Sequence, residues 1–245
     1  MSNDNSIVLI TGVSREEGIG YGLAKEMVAR NFRVIIAARD LDKAKKLAER
    51  LASEQASVSA EQVDITSESS VEHLSSSVEE KFGKLDILIN NAGGHLDYMT
   101  GPLESDFQVV KDALDTNLFG TWRMIKHMHA LLKKSKHPRI VNISSGAGSF
   151  SHPIFGMAVH PALLTAYGLS KLALNGLTVQ LARQLKNDHI IINAVNPGFV
   201  ATAEGMEALG ARSVSDSIQG IVWAATLPDD GPSGKFFEDG QEISW

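Results

Sequence analysis

Tyr167 and Lys171 stand four residues apart in "AYGLSK", at the start of a strong helical pattern. Residues at i and i+4 share one face of a helix. A tyrosine with its ordinary pKa, about 10, is a poor base at neutral pH. An ammonium beside it favours the phenolate and lowers that pKa. The pair is therefore suited to general acid–base catalysis. Most Tyr/Lys pairs at this spacing are surface pairs, so the neighbouring motifs must carry the reading. Ser144 and Ser145 follow the apolar run of "IVNISSGAG", where a hydroxyl can donate to a substrate carbonyl. Asn117, in "DTNLFG", falls inside a long helical pattern, where a polar amide is locally unfavourable. It is read as a local distortion whose backbone carbonyl could hold a water beside Lys171.

A second group of residues suits a dinucleotide. "TGVSREEGIGYG" follows the run Ile7–Ile10 and leads into a helix near Gly20. Free N–H groups and partial positive charge at a helix start can hold a pyrophosphate, and glycines let the backbone approach it. The glycines do not have the G-x-G-x-x-G spacing, so the loop reads as a lengthened phosphate turn. Arg39 ends the second apolar run, where an acidic residue would take the ribose hydroxyl of NAD. An arginine there pairs with a 2′-phosphate through its planar fork, and Arg15 offers a second charge. NADP(H) is the expected cofactor, and Asp40 keeps NAD(H) open. Asp64 follows the third run at the adenine end, and "NNAGG", Asn90–Gly94, follows the fourth.

These residues need a scaffold that gathers them along one edge. Strands are expected over Ile7–Ile10, Phe32–Ala37, Val58–Val63, Leu85–Ile89, Arg139–Ile143 and His189–Val195. Most are continuously apolar, as parallel strands covered on both faces are. Helices are expected over Tyr21–Arg30, Leu41–Ser53, Glu68–Phe82, Leu103–Lys134 and Leu163–Lys186. The alternation implies right-handed crossovers and an α/β, doubly wound parallel sheet of the Rossmann type. No linker or repeat divides the 245 residues, so one catalytic domain over 1–245 is expected.

The bulk composition narrows the function classes. A net charge of −6 supplies no basic excess for nucleic acid. The chain has no cysteine, which removes disulfides, thiolate metal sites and cysteine nucleophiles. No run is long and apolar enough to span a bilayer, and the polar start Met1–Asn5 shows no signal pattern. A cytoplasmic location with no membrane partner is expected.

Taken together, Thr11-Gly12, Gly18-Ile19-Gly20, Asn90-Asn91-Ala92-Gly93, Asn117, Ser145, Tyr167-x-x-x-Lys171 and Asn196-Pro197-Gly198 resemble the short-chain dehydrogenase/reductases, in order and over the whole chain. The tail "GIVWAATLPDDGPSGKFFEDGQEISW" is similar to the carbonyl-reductase-like branch. The resemblance implies reversible NADPH-dependent reduction of a ketone or aldehyde to an alcohol. It makes Tyr167 the catalytic acid/base, with Lys171 lowering its pKa and contacting the nicotinamide ribose. Ser145 positions the carbonyl, and Asn117 supports a proton-relay water. Ser145 is preferred to Ser144 by its distance from Gly148. The cofactor is then assigned to Gly12, Ser14, Arg15, Gly18, Ile19 and Gly20, to Arg39, Asp64 and Ile65, and to Asn91, Ala92 and Gly93. Tyr167, Lys171, Pro197, Gly198, Val200 and Thr202 complete the set. No metal site is assigned, since His152 and His160 lack a ligand spacing.

There are two departures from the family pattern. The loop between Gly12 and Ile19 has the length found in enoyl-acyl-carrier-protein reductases, which makes an enoyl-thioester reductase the nearest rival. Those enzymes keep Tyr and Lys farther apart, so carbonyl reduction is preferred. A non-catalytic NADP(H)-binding regulator is the rival from another class, and such proteins typically lose the Tyr or Lys. The second departure is a long interval between Ser145 and Tyr167. Its insertion, "SFSHPIFGMAVHPALLT", is placed to line the substrate side or to be a plain surface loop. With Ala203–Arg212 it is expected to form a lid. The resemblance implies pairing of two copies through the two long helices. The partial insertion leaves a monomer open.

Overall fold

The computed structural model describes residues 6–52, 57–94, 97, 100–160 and 164–245. Eight strands form one sheet: β1 (Ile7–Thr11), β2 (Arg33–Ala38), β3 (Val58–Gln62), β4 (Ile87–Asn90), β5 (Arg139–Ile143), β6 (Ile191–Asn196), β7 (Phe236–Glu238) and β8 (Gln241–Glu242). Their order is β3-β2-β1-β4-β5-β6-β7-β8. All neighbours are parallel except β7 and β8, which pair antiparallel around Asp239 and Gly240, both at positive φ. The order reverses between β1 and β4. Open α/β sheets place ligands in the crevice at such a switch point, beyond the carboxyl ends of the strands.

Each strand feeds two cores because successive side chains point to opposite faces. Ile7 and Leu9 of β1 enter one apolar cluster, and Val8 and Ile10 enter the other. The first cluster is covered by α3 (Glu68–Phe82), α5 (Thr121–Leu132) and α6 (Thr165–Leu185). The second is covered by α1 (Ile19–Ala29), α2 (Leu41–Leu51) and α7 (Val214–Ala225). Strands buried on both faces read as continuous apolar runs, and β1, β2 and β4 are of this kind. The third strand, "VSAEQ", is not, because it lies at the sheet edge and is only half-buried.

Local chemistry sets the helix starts. Asp40, Ser67, Asp106 and Ser213 accept backbone N–H bonds as N-caps of α2, α3, α4 (Phe107–Leu114) and α7. Helix α3 stops at Gly83, whose φ of 72° is left-handed.

The helical run expected over Leu103–Lys134 begins later, at Phe107, because Asp106 caps it there. It is also not a uniform α-helix. Asp115–Gly120 forms a π turn between α4 and α5. Such turns are insertions of one residue into a helix and often sit at functional sites. The distortion expected at Asn117 is this turn. Helix α7 and the β7–β8 hairpin were not expected from the sequence. Ser53 and Leu163, the expected end of α2 and start of α6, lie outside the described residues. No described helix is long and apolar enough to cross a membrane.

Candidate active site

The cleft begins where the β1–α1 turn meets the turn after β4. Thr11 Oγ1 accepts from the N–H groups of Asn91 (3.1 Å) and Ala92 (3.0 Å). Asn91 Nδ2 donates back to the carbonyls of Thr11 (2.8 Å) and Gly12 (3.3 Å). The two turns lie so close that a Cβ at Gly12 would stand 2.7 Å from Ala92 Cα, and φ there is +75°. A Cβ at Gly20 would stand 2.7 Å from Asn91 Nδ2. Glycine is required at both positions by contact, and at Gly12 also by conformation. The lengthened loop is anchored by an ion pair between Glu16 and Arg50 of α2.

Helix α1 starts at Gly18 with no side-chain cap. Its first N–H groups therefore face the cleft as an anion-binding end. The cleft has a volume of about 940 Å³. Gly12, Ser14, Arg15, Gly18, Ile19 and Gly20 line one wall. Arg39, Asp64 and Ile65 line the far end, and Asn91, Ala92, Gly93 and Thr202 complete the lining of expected residues. Gly94 of the "NNAGG" turn also lines it, as do Lys43, Thr66 and Thr116, which were not expected from the sequence. Pro197, Gly198 and Val200 are not among the lining residues, and neither are Tyr167 and Lys171.

The acidic groups at the far end are already engaged. Asp40 accepts from the Lys43 N–H, and that bond is the main reason its carboxyl titrates below the usual range. The Thr66 hydroxyl donates to Asp64 at 2.7 Å and holds its carboxyl low, with help from the Thr66 N–H and the Arg39 charge. Arg15, Arg39 and Lys43 line the same cleft, three cations beside these two carboxylates. An uncapped helix start, a glycine cradle and nearby cations fit a nicotinamide dinucleotide.

The catalytic residues adjoin this cleft through Gly93. A Cβ there would stand 3.0 Å from Asn117 Oδ1 and 3.5 Å from Lys171 Nζ. Lys171 is buried, and loss of hydration lowers its pKa to about 8. Its ammonium donates to the Ile143 carbonyl at 2.8 Å and lies 5.7 Å from the centre of the Tyr167 ring. Helix spacing thus sets the Lys171 amine beside the Tyr167 ring, and the Ile143 carbonyl holds it there.

The Asn117 side chain is fully used. Its Oδ1 accepts from Gly94 N–H at 3.0 Å, and its Nδ2 donates to the Gly94 carbonyl (3.0 Å) and to Ser170 Oγ (2.9 Å). Ser170 Oγ in turn donates to the Tyr167 carbonyl at 2.7 Å. The π turn is thereby tied both to the turn after β4 and to the first turns of α6. Asp97 does a related job from outside the helix: its carboxylate accepts from the N–H groups of Ala166 (2.7 Å) and Tyr167 (3.0 Å). Ser170 lies between Tyr167 and Lys171, and its type and spacing alone do not mark it as part of the site. Nothing in the sequence marks Asp97, which is about 70 residues from its partners.

Ser145 lies two residues beyond β5, and its Oγ accepts from Ala147 N–H at 3.2 Å. The Ser144 hydroxyl instead points inward and donates to Asn175 Oδ1 at 2.6 Å, fully buried. Asn175 Nδ2 then donates to the Gly148 carbonyl at 3.0 Å. Pro197, Gly198 and Val200 lie beyond β6, where Gly198 N–H donates to Asn196 Oδ1 at 3.1 Å. Backbone bonds between Ala201 and Arg212, and between Arg212 and Phe199, close the segment between them into a loop.

Comparison with known proteins places this arrangement. A chain named short-chain dehydrogenase anuI from Penicillium roqueforti is 32% identical over 232 residues, covering 90% of this chain and 88% of that one. The (+)-neomenthol dehydrogenase of Arabidopsis thaliana is 28% identical, covering 94% of each chain. Among solved structures, an NADPH-bound carbonyl reductase from chicken fatty liver superposes with a TM-score of 0.85, at 26% identity and 99% coverage of each chain. The family model described as short chain dehydrogenase matches residues 6–211. The chain is a nicotinamide-dependent oxidoreductase and belongs to the short-chain dehydrogenase family.

Proposed function

We propose that the chain, as one catalytic unit over residues 1–245, interconverts a ketone or aldehyde and its alcohol, with NADP(H) as cofactor. The observation that carries this reading is the buried Lys171 ammonium, 5.7 Å from the Tyr167 ring centre and next to Gly93 of the cleft. When bound, the nicotinamide supplies or accepts the hydride. The protein's own groups handle the proton and the alignment. Tyr167 gives the proton to the carbonyl oxygen in reduction and takes it back in oxidation. Lys171 stabilises the phenolate left behind. Ser145 Oγ, at the strand end, holds the carbonyl oxygen. The π turn at Asn117 leaves backbone carbonyls outside the regular ladder, and one of them can hold the water that refills the proton.

Arg15, Arg39 and Lys43 support NADP(H) over NAD(H), as does the NADPH in the chicken carbonyl reductase. One relative is named as a neomenthol dehydrogenase, an alcohol–ketone conversion, which supports carbonyl chemistry over enoyl-thioester reduction. We place the protein in the cytoplasm. A groove of about 550 Å³ along α5 and α6, lined by Phe119, Trp122, Leu181 and Leu185, supports pairing of two copies through these helices.

The test is a panel of ketones, aldehydes and a crotonyl thioester, followed by NADPH oxidation. Turnover is expected with carbonyls and not with the thioester. Tyr167→Phe should lower kcat by about 10²- to 10⁴-fold with NADPH affinity nearly unchanged. Normal turnover in that variant would remove Tyr167 from the role. Tight NADPH binding with no carbonyl turnover would favour a regulator.

A further inference from the structure

The insertion between Ser145 and Tyr167 has its own buried polar centre, which none of the roles above uses. His152 has a side chain only 3% exposed. Its Nδ1 accepts from the N–H groups of Ile154 (3.3 Å) and Phe155 (3.0 Å). Its Nε2 lies 2.9 Å from Glu238 Oε2 on β7. A nitrogen that accepts from two backbone amides carries no proton, so the hydrogen is on Nε2 and is donated to the carboxylate. Ser149 Oγ secures the same turn: it accepts from His152 N–H at 3.0 Å and donates to the Ser244 carbonyl at 2.9 Å. Gly156 permits the tight fold, since a Cβ there would stand 2.6 Å from His152 backbone atoms.

This turn touches three separate pieces of the site. The His152 ring lies on the residue after Ser145, because a Cβ at Gly146 would stand 2.9 Å from it. Met157 Cε would lie 3.3 Å from a Cβ at Gly168, the residue after Tyr167. The Phe155 ring is 6.3 Å from the ring of Phe199, which directly follows Gly198. Glu238, the other half of the clasp, also faces Gly198, with Oε1 at 3.5 Å from a Cβ there.

We propose that His152, clasped between the Ile154 and Phe155 amides and the Glu238 carboxylate, is a positioning residue that sets the insertion as the substrate wall of the site. It acts through Phe155 and Met157 and touches no reacting atom. The wall it holds offers aromatic and thioether surface without charge, so it fits an apolar ketone or aldehyde. This inference rests on the carbonyl-reductase reading.

The test uses the full chain with His152→Leu, Glu238→Leu and Glu238→Gln. KM and kcat are measured for an apolar ketone and for a ketone carrying a carboxylate, with NADPH Kd from fluorescence titration. Hydrogen exchange at Ile154 and Phe155 is followed separately. Both leucine variants are expected to raise KM for the apolar ketone about tenfold or more, the size of one charge-assisted hydrogen bond. NADPH Kd should stay within about twofold. Glu238→Gln should stay near wild type, since its amide oxygen still accepts from Nε2–H. Exchange at the two amides should quicken in His152→Leu. Unchanged KM in both leucine variants, an equal loss of NADPH affinity, or a glutamine variant as poor as the leucine one would overturn the proposal. If His152→Leu does not fold, the Glu238 pair decides. If the wild type reduces no ketone, the functional reading fails, while the exchange rates still decide whether the clasp exists.

Discussion

The two halves of the sheet's carboxyl edge are built differently. Around β1 and β4 the site is made by leaving side chains out: Gly12 brings backbone against the Ala92 backbone, and Gly18, Gly20 and Gly93 line the open cleft without a Cβ. Around β5 and α6 it is made by burying polar side chains and giving each one partners. Lys171, Asn117, Ser170, Ser144 and Asn175 are all buried and all hydrogen-bonded. One half needs room for a large ligand to approach the main chain. The other needs a few atoms held in fixed places. Adding a methyl at Gly12 should therefore be severe, whereas deleting one hydroxyl from the second half should be mild unless a charge is touched.

Gly12→Ala is the harshest test of that contrast. It sets a Cβ at φ +75° and 2.7 Å from Ala92 Cα. A loss of about 3 kcal/mol or more in denaturant unfolding is expected, with NADPH binding abolished. A variant of wild-type stability would show that the two turns separate easily. Next comes Lys171. Its folded pKa of about 8 lies below the ordinary 10.5, so between these values the unfolded chain holds a proton that the folded chain lacks. Folded stability then rises with pH across that window. Relative to Lys171→Met, the wild type should gain about 3 kcal/mol between pH 8 and pH 10.5. Parallel pH profiles of the two proteins would contradict the buried ammonium.

Arg39→Ala sharpens the contrast within the cofactor half, where charge rather than space is at stake. It should cost about 2 kcal/mol, or about 30-fold, in kcat/KM with NADPH, and much less with NADH. Equal losses with both cofactors would place Arg39 away from the 2′-phosphate. The smallest effect is expected for Ser170→Ala, which removes the link between Asn117 and the Tyr167 carbonyl. About 1 kcal/mol of stability and a modest fall in kcat are expected. No change in either would show that Asp97 and the helix alone hold Tyr167.

The same contrast governs how much could be read from the chain. The cofactor half is legible because its requirements are local: glycines at a strand end, a basic residue after β2, small residues after β4. Most of the expected cofactor residues do line one cleft. The existence of the first six strands is marked by apolar or β-rich runs, with β3 the least apolar of them. The catalytic half is legible only where spacing is helical, as with Tyr167 and Lys171, or where a residue is out of place, as Asn117 is in mid-helix. Its supports come from far along the chain. Asp97 caps α6 and Glu238 clasps His152, the latter across 86 residues, and no window of sequence contains both partners. Helix α7 escaped notice because Gly220 breaks its pattern. That glycine lets the helix lie on the Asp239 backbone, which would be 3.1 Å from a Cβ.

The hairpin that meets α7 at that point has a further consequence. An open parallel sheet ends in a row of unpaired backbone groups, which invites another chain to add a strand. Here the last parallel strand, β7, is only three residues long and is covered by β8, itself two residues. The Asp-Gly turn fixes this cover, as such pairs do when both residues take positive φ. Lys235 and Glu242, paired at 2.7 Å, put opposite charges beside the short rim. The fold thus finishes its sheet with a strand too brief and too polar to serve as a template, which protects a concentrated protein from joining edge to edge.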